Sequence, residues 1–303
     1  MPVRSLSFLA ASLLLATAGV ASAQGASQSS AASGARGAAP VAPTMTQSDV
    51  ELVEPGQAPL RPLRHRFVAG QRAQYRMRIN TQMRIAAGAR DQSVEMPVIV
   101  LDMDLGPTRV ASGRLEVPFR MVAVNLDGGA EQARAPLEQQ LRGLVSTSGS
   151  ATFDGRGALV GFDYGLPSDA SAEVRARADT VRHALTQLLP RFPSEPIGLG
   201  ATWRIRDEMS MPGMQVQVAT VYRLRRWDGD RIELQIRVES GREPSTRAMQ
   251  FTADGSGRMR FVIGTIASRS RLESRAEVGA QGPNGQMNIS MRTRIEVEPR
   301  RAE

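Results

Sequence analysis

Apolar and polar residues alternate strictly from Arg72 to Ile85. Ala73, Tyr75, Met77, Ile79, Thr81, Met83 and Ile85 fall on one side, and Arg72, Gln74, Arg76, Arg78, Asn80, Gln82 and Arg84 on the other. Period two sustained over such a span predicts one long strand with a single buried face. The pattern returns at Leu115, Val117, Phe119, Met121 and Ala123, and at Ile232, Leu234, Ile236 and Val238. It returns again at Met287, Ile289, Met291, Thr293, Ile295 and Val297. A strand of about 14 residues spans about 45 Å, well beyond the usual 5–6 residues. Strands this long with one apolar face suit a strongly curved antiparallel sheet.

Turn chemistry agrees with an antiparallel meander. Asp228-Gly229 separates two alternating runs, Asn284-Gly285 precedes the last one, and Asp127-Gly128-Gly129 closes an earlier one. Helical spacing is confined to two places. From about Asp169 to Leu189, Val174, Ala178, Val181, Leu185 and Leu188 form a stripe that ends at Pro190. A shorter helix is expected to begin at Pro136, with Leu137, Leu141 and Leu144 on one side.

Two pieces recur in the same order. Gly70 to Arg78 and Gly198 to Arg206 both read G-x-x-A-x-aromatic-R-apolar-R, with Tyr75 and Trp203 as the aromatics. Asp154-Gly155-Arg156-Gly157 then matches Asp254-Gly255-Ser256-Gly257. The expected fold class is therefore mainly β (α+β): a long curved antiparallel sheet or half-barrel with one or two helices packed on it. Its two related halves, about 66–165 and 198–298, would be joined by the helix at about 169–190. This layout, over residues 66–298, resembles uncharacterised exported bacterial families related to the lipoprotein-localisation carriers. The resemblance implies a half-open sheet wrapped over helices with an apolar cavity for acyl chains. It implies no functional residues.

The amino terminus fixes the compartment. Arg4, the apolar run Leu6–Val20 and the site Ala21-Ser22-Ala23 make a secretory signal peptide over residues 1–23. The run is short for a membrane span, which takes roughly 20 residues. Residues 24–63 are poor in large apolar groups and read as a flexible low-complexity linker. Residues 64–299 then form a single β-rich domain. The protein is expected to be exported, soluble in the periplasm or outside the cell, without a transmembrane segment.

Composition removes most chemistry. There is no cysteine, which excludes disulfides, thiolate metal sites and thiol nucleophiles. His65 and His183 are the only histidines. His65 lies among arginines and His183 late in a helix, so both are expected on the surface, where neither serves a catalytic triad. Asp102 and Asp104 share a strand face and are the one acid–base candidate, with a solvated strand face as the plainer reading. The Asp-Gly-x-Gly pieces lack the lysine of a phosphate loop and the ligand spacing of a calcium loop. Their glycines are expected to serve hairpins. All 38 basic residues are arginine, against 30 acidic residues, giving a charge of +8. The arginines alternate with apolar residues and glutamates along strands, as on the solvated side of a half-buried sheet. Nucleic-acid binding, which wants clustered cations with stacking aromatics, is not expected at 4% aromatic content.

Two functions remain. One is a non-enzymatic carrier without cofactor or metal, holding a lipid or other apolar small molecule against Met77, Met83, Met121, Met287 and Met291. Unbranched, polarizable methionine suits varied apolar ligands. The alternative is a structural or protein-interaction component of the cell envelope, with a solid core and no ligand.

Overall fold

The computed structural model describes residues 44–46, 50–88, 90–141, 144–145, 147–165, 181–182, 185, 189–211, 214–240, 249–266, 268–282 and 285–300. The expected signal peptide (1–23) and the first part of the expected linker lie outside these residues. So do His183 and most of the helix expected at 169–190.

Long alternating runs become long strands. The first group is β1 (Thr44–Thr46), β2 (Val50–Glu54), β3 (Gln57–Arg61), β4 (Ala73–Ala87), β5 (Arg90–Glu95) and β6 (Val98–Leu105). It continues with β7 (Arg109–Ala111), β8 (Arg114–Asp127), helix α1 (Glu131–Leu141), β9 (Ser148–Phe153) and β10 (Leu159–Asp163). The second group is β11 (Ile197–Leu199), β12 (Thr202–Met211), β13 (Met214–Asp228), β14 (Arg231–Ser240), β15 (Met249–Val262), β16 (Ser268–Gly282) and β17 (Gly285–Arg300).

Fifteen strands form one antiparallel sheet, with main order β1-β12-β13-β14-β15-β16-β17-β4-β6-β8-β9-β10. β3 and β11 make a small second sheet. The large sheet is curved and does not close into a barrel. It consists of two meanders, β4 to β10 and β12 to β17, joined where β17 lies antiparallel to β4 from Met287↔Ala87 to Arg300↔Gln74. Tyr75 and Trp203 sit on the opening strand of their respective meanders. The expected hairpin at Asp228-Gly229 forms one residue later, around Gly229 and Asp230, with Asp228 paired to Arg231.

The apolar face carries two adjoining cores. One gathers Tyr75, Ile79, Met83, Ile99, Leu115, Val117, Phe119, Met121, Phe153, Met291 and Ile295 under Leu137, Leu141 and Leu144. Val181 and Leu185, both in helical conformation, and Leu189 seal the same cluster. The other packs Trp203, Tyr222, Leu224, Leu234, Ile236, Met259, Phe261 and Leu272 around Phe192 and Leu63. Phe251 and Ala276 touch both. Near this seam β15 turns small residues to the apolar face, Ala253, Gly255 and Gly257, and β16 offers Ser270, Ser274 and Ala276. Small side chains let neighbouring strands come close on the inside of a bend.

Three expectations are corrected. The linker read over 24–63 contains strands β1, β2 and β3, because β1 and β2 pair with β12 and β3 with β11, and Leu63 is buried. Backbone ladder bonds hold that segment, and they need no hydrophobic pattern. Helix α1 begins at Glu131, not at Pro136, which lies inside it. Ala130 starts the helix, its carbonyl accepting from the amides of Ala133 and Arg134. Finally, Gly255 and Gly257 are not hairpin glycines but lie mid-strand in β15.

Candidate functional site

The five methionines come to one face, with different surroundings. Met83 and Met291 are register partners on β4 and β17, and both are buried. Met121 is buried in the same cluster, and Met77 packs at its margin. Met287, at the start of β17, is exposed. Leucines of α1 and of the segment around residue 185 share the cluster with Met83, Met121 and Met291. Local sequence explains this seal: Leu137, Leu141 and Leu144 recur at helical spacing just after the strand that carries Met121.

Asp102 and Asp104 do not form an acid–base pair. Asp102 is buried on β6 and takes both hydrogen bonds of a bidentate contact from Arg76, at 2.8 Å each. Arg300 stands 3.6 Å away. The Arg76 hydrogen bonds hold the Asp102 carboxyl below the usual carboxylate range, against the opposing effect of burial. Asp104 stands opposite Arg120 of β8 in register. The expected solvated face is therefore an ion-paired one at Asp102, because β4 and β17 bring Arg76 and Arg300 to it.

His65 is also relocated. Expected on the surface among arginines, it is buried. It stacks on Phe192 at 4.7 Å between ring centroids, with Phe67 and Phe261 about it. Its Nε2 lies 3.0 Å from the Pro190 carbonyl oxygen. Desolvation lowers its pKa from 6.5 to about 4, so the ring is neutral at pH 7, and at that pH Nε2–H donates to Pro190. The flanking arginines point elsewhere: Arg64 donates to the carbonyls of Pro193 and Ser194. The role of His65 is to join three segments, since its amide donates to Gly155 O while its ring meets Pro190 and Phe192.

On the polar side of the sheet, β14, β15, β16, β17, β4 and β5 frame a hollow of about 820 Å³. Arg84, Arg237, Arg275 and Arg292 line it together with Glu239, Asp254 and Glu273, over a floor that includes Ser93, Ser256 and Ser290. A second hollow of about 360 Å³ continues past Arg84 and Arg275 toward Gln250, Thr252 and Asn288. The alternation read the polar sides of β4, β14 and β17, which supply Arg84, Arg237, Glu239, Ser290 and Arg292, but not those of β15 and β16, and the meeting of all of them depends on register across six strands. Among the described residues no group of three or more His, Asp or Glu is arranged to hold a metal ion.

No protein-family model matches the chain, and no curated protein is similar to it. Among solved structures, OmpT, an in-vitro folded outer membrane protein of Vibrio cholerae in its trimer form, aligns at 7% identity. The alignment covers 76% of this chain and 100% of that one, with a TM-score of 0.19. A score that low carries no argument about fold or function. Among the described residues no helix is long and apolar enough to cross a membrane.

Proposed function

We propose that this is an exported, non-catalytic interaction protein of the cell envelope, which works through the polar face of its sheet and uses the apolar face as core. One observation carries this choice over the lipid-carrier reading. Met83, Met121 and Met291, the centre of the candidate ligand face, are at most 8% exposed and share one cluster with Leu137, Leu141 and Leu185. A site for an acyl chain needs apolar surface free to receive it. Here that surface is spent on helix packing, and the larger of the two hollows described above is lined by charges. Export is supported by Ala21-Ser22-Ala23 behind an apolar run and by the basic start at Arg4.

The test is direct. The purified mature protein, titrated with a fluorescent fatty acid, is expected to show no saturable signal. Native mass spectrometry is expected to show no co-purifying lipid. Saturable binding that Met83→Glu abolishes, with circular dichroism unchanged, would restore the carrier reading.

A further inference from the structure

Most of the polar face obeys a simple rule: an arginine is answered by a carboxylate. Arg260 meets Glu233 at 3.1 Å, Arg271 meets Glu273 at 3.2 Å, and Arg76 meets Asp102 at 2.8 Å. Arginine also faces arginine at Arg258↔Arg271 and Arg260↔Arg269, but one transverse row, which runs through the larger hollow, carries two like-charge pairs side by side. Glu239 of β14 stands opposite Asp254 of β15. Asp254 stands opposite Arg275 of β16. Arg275 in turn stands opposite Arg292 of β17. The row therefore reads carboxylate, carboxylate, guanidinium, guanidinium.

Like charges directly opposite each other across a strand pair are unfavourable. The two inner members would relieve this by pairing, but Arg275 bonds along its own strand to Glu277 at 2.7 Å. Arg292 has Glu273 only at 3.8 Å. Among the described residues, no ion pair involves Glu239, Asp254 or the neighbouring Arg237. Two pairs of like charge thus lie in one hollow with serine hydroxyls beside them: the acidic pair has no ion pair among the described residues, and the basic pair is answered only from the side, by Glu277 and Glu273.

We propose that this hollow binds a hydrophilic zwitterion, with a cationic group between Glu239 and Asp254 and a carboxylate or phosphate between Arg275 and Arg292. Strands lie about 4.8 Å apart, so the centres of the two pairs are separated by two strand spacings, roughly 10 Å. An extended peptide advances about 3.3–3.6 Å per residue, which puts the free termini of a tripeptide at roughly that separation. The ligand class that fits is a short peptide with free ends. Guanidinium pairs favour oxyanions by charge-assisted hydrogen bonds. Ser256 and Ser290 supply donors and acceptors for the amide groups between the ends. The inference rests on the polar face being the working surface, and it adds the chemistry of what is bound there.

The experiment uses the mature chain and trialanine, followed by calorimetry and by amide shifts around Ser256 and Ser290. Trialanine with both ends free is expected to bind saturably. N-acetyl and C-amide forms are expected to bind at least tenfold more weakly, and dialanine less well than trialanine. Arg292→Gln and Glu239→Gln, both exposed and outside the core, should each weaken trialanine at least tenfold with an unchanged circular dichroism spectrum. Arg258→Gln, outside the hollow, should leave it unchanged. Inorganic phosphate, the free anion, is expected to compete. Free phosphoethanolamine, whose ammonium and phosphate are joined by only two carbons and cannot span both pairs, is expected to bind no more tightly than inorganic phosphate, and tighter binding of it than of trialanine would overturn the peptide assignment. Capped and free trialanine binding alike, trialanine binding unaffected by Glu239→Gln or by Arg292→Gln, or no saturable binding of any of these probes would overturn the proposal. A negative result here together with no fatty-acid binding would leave the non-carrier reading standing. Positive fatty-acid binding would remove that reading independently.

Discussion

Asp154-Gly155-Arg156-Gly157 and Asp254-Gly255-Ser256-Gly257 differ at a single position, yet the first is a turn and the second is the middle of a 14-residue strand. In the first, Asp154 Oδ1 accepts from the amides of Arg156 and Ala158 at 2.9 Å, and Gly157 takes φ +84°. The chain reverses there, and β10 runs back along β9. In the second, β14 and β16 flank the motif and bond to it on both sides, with Gly255 between Val238 and Ser274. An Asx turn competes with the ladder for the same backbone groups. Two long neighbours settle the contest for the strand in β15. A docking partner settles it for the turn after β9, where Gly155 O accepts from His65 and Arg156 O from Phe192. The tetrapeptide offers both conformations, and the surroundings choose.

The aromatics of the other repeated piece sharpen the same contrast, and truncating them gives the largest effects. Trp203 is fully buried and donates from Nε1 to Arg191 O at 2.9 Å. It stacks on Tyr222 at 5.2 Å. Trp203→Ala should cost about 3–5 kcal/mol in chemical denaturation. Tyr75 acts as a bridge: its hydroxyl donates to Ile266 O and accepts from Ser268 N at 2.6 Å. Tyr75→Phe should cost about 1–3 kcal/mol by orphaning those buried groups. If Trp203→Ala proves no worse than Tyr75→Phe, the two cores are not organised as described.

Acid should loosen the turn copy and spare the strand copy. His65 has a folded pKa of about 4 against 6.5 when unfolded. Between those values the unfolded chain holds a proton that the fold refuses. Its contribution is therefore complete above about pH 6.5 and declines as pH falls toward 4, by roughly 3 kcal/mol. Hydrogen exchange at residues 154–158 should accelerate over that window, with little change at 254–257. His65→Phe should flatten the dependence. An unchanged pH profile in that variant would remove His65 as its source.

Next in size come the second glycines of each motif. A Cβ on Gly157 would run into the Pro190 carbonyl oxygen from a positive φ, while one on Gly257 would sit 2.5 Å from Arg271 O and 2.9 Å from Leu272 Cδ1. Gly157→Ala should cost about 2–4 kcal/mol, from backbone strain and overpacking together, and Gly257→Ala about 1–3 kcal/mol, from overpacking alone.

These contrasts mark what the sequence could disclose. Strict alternation located β4, β8, β14 and β17 and named the faces of Met83 and Met291, because a half-buried strand writes its own period. It could not place β17 beside β4, since pairing between strands some 200 residues apart leaves no local trace. The hollow was hidden for the same reason: Glu239, Asp254, Arg275 and Arg292 meet only through register. His65 misled because its sequence neighbours are arginines, whereas its spatial neighbours, Phe192 and Phe261, come from elsewhere. The order in β2 escaped notice because an added edge strand is held by backbone bonds.

The smallest predicted effect compares the first glycines, where the two copies should differ in sign. At Gly155 an added Cβ meets nothing within 4 Å, and φ is not positive. Gly155→Ala removes unfolded-state freedom at no native cost, so it should stabilise by about 0.4–1 kcal/mol. At Gly255 the same entropic gain is opposed by contacts of 2.9 Å to Glu273 O and 3.0 Å to Ser274 Cβ, which cannot yield without moving β16 away from β15. Gly255→Ala should therefore destabilise, by about 1 kcal/mol. Paired melting curves of the two variants measure the difference. Equal and opposite shifts would mean that the strand copy resists a methyl group only as strongly as the turn copy welcomes it. If both variants stabilise, β15 and β16 are not held close at the seam, and the small residues there need another explanation.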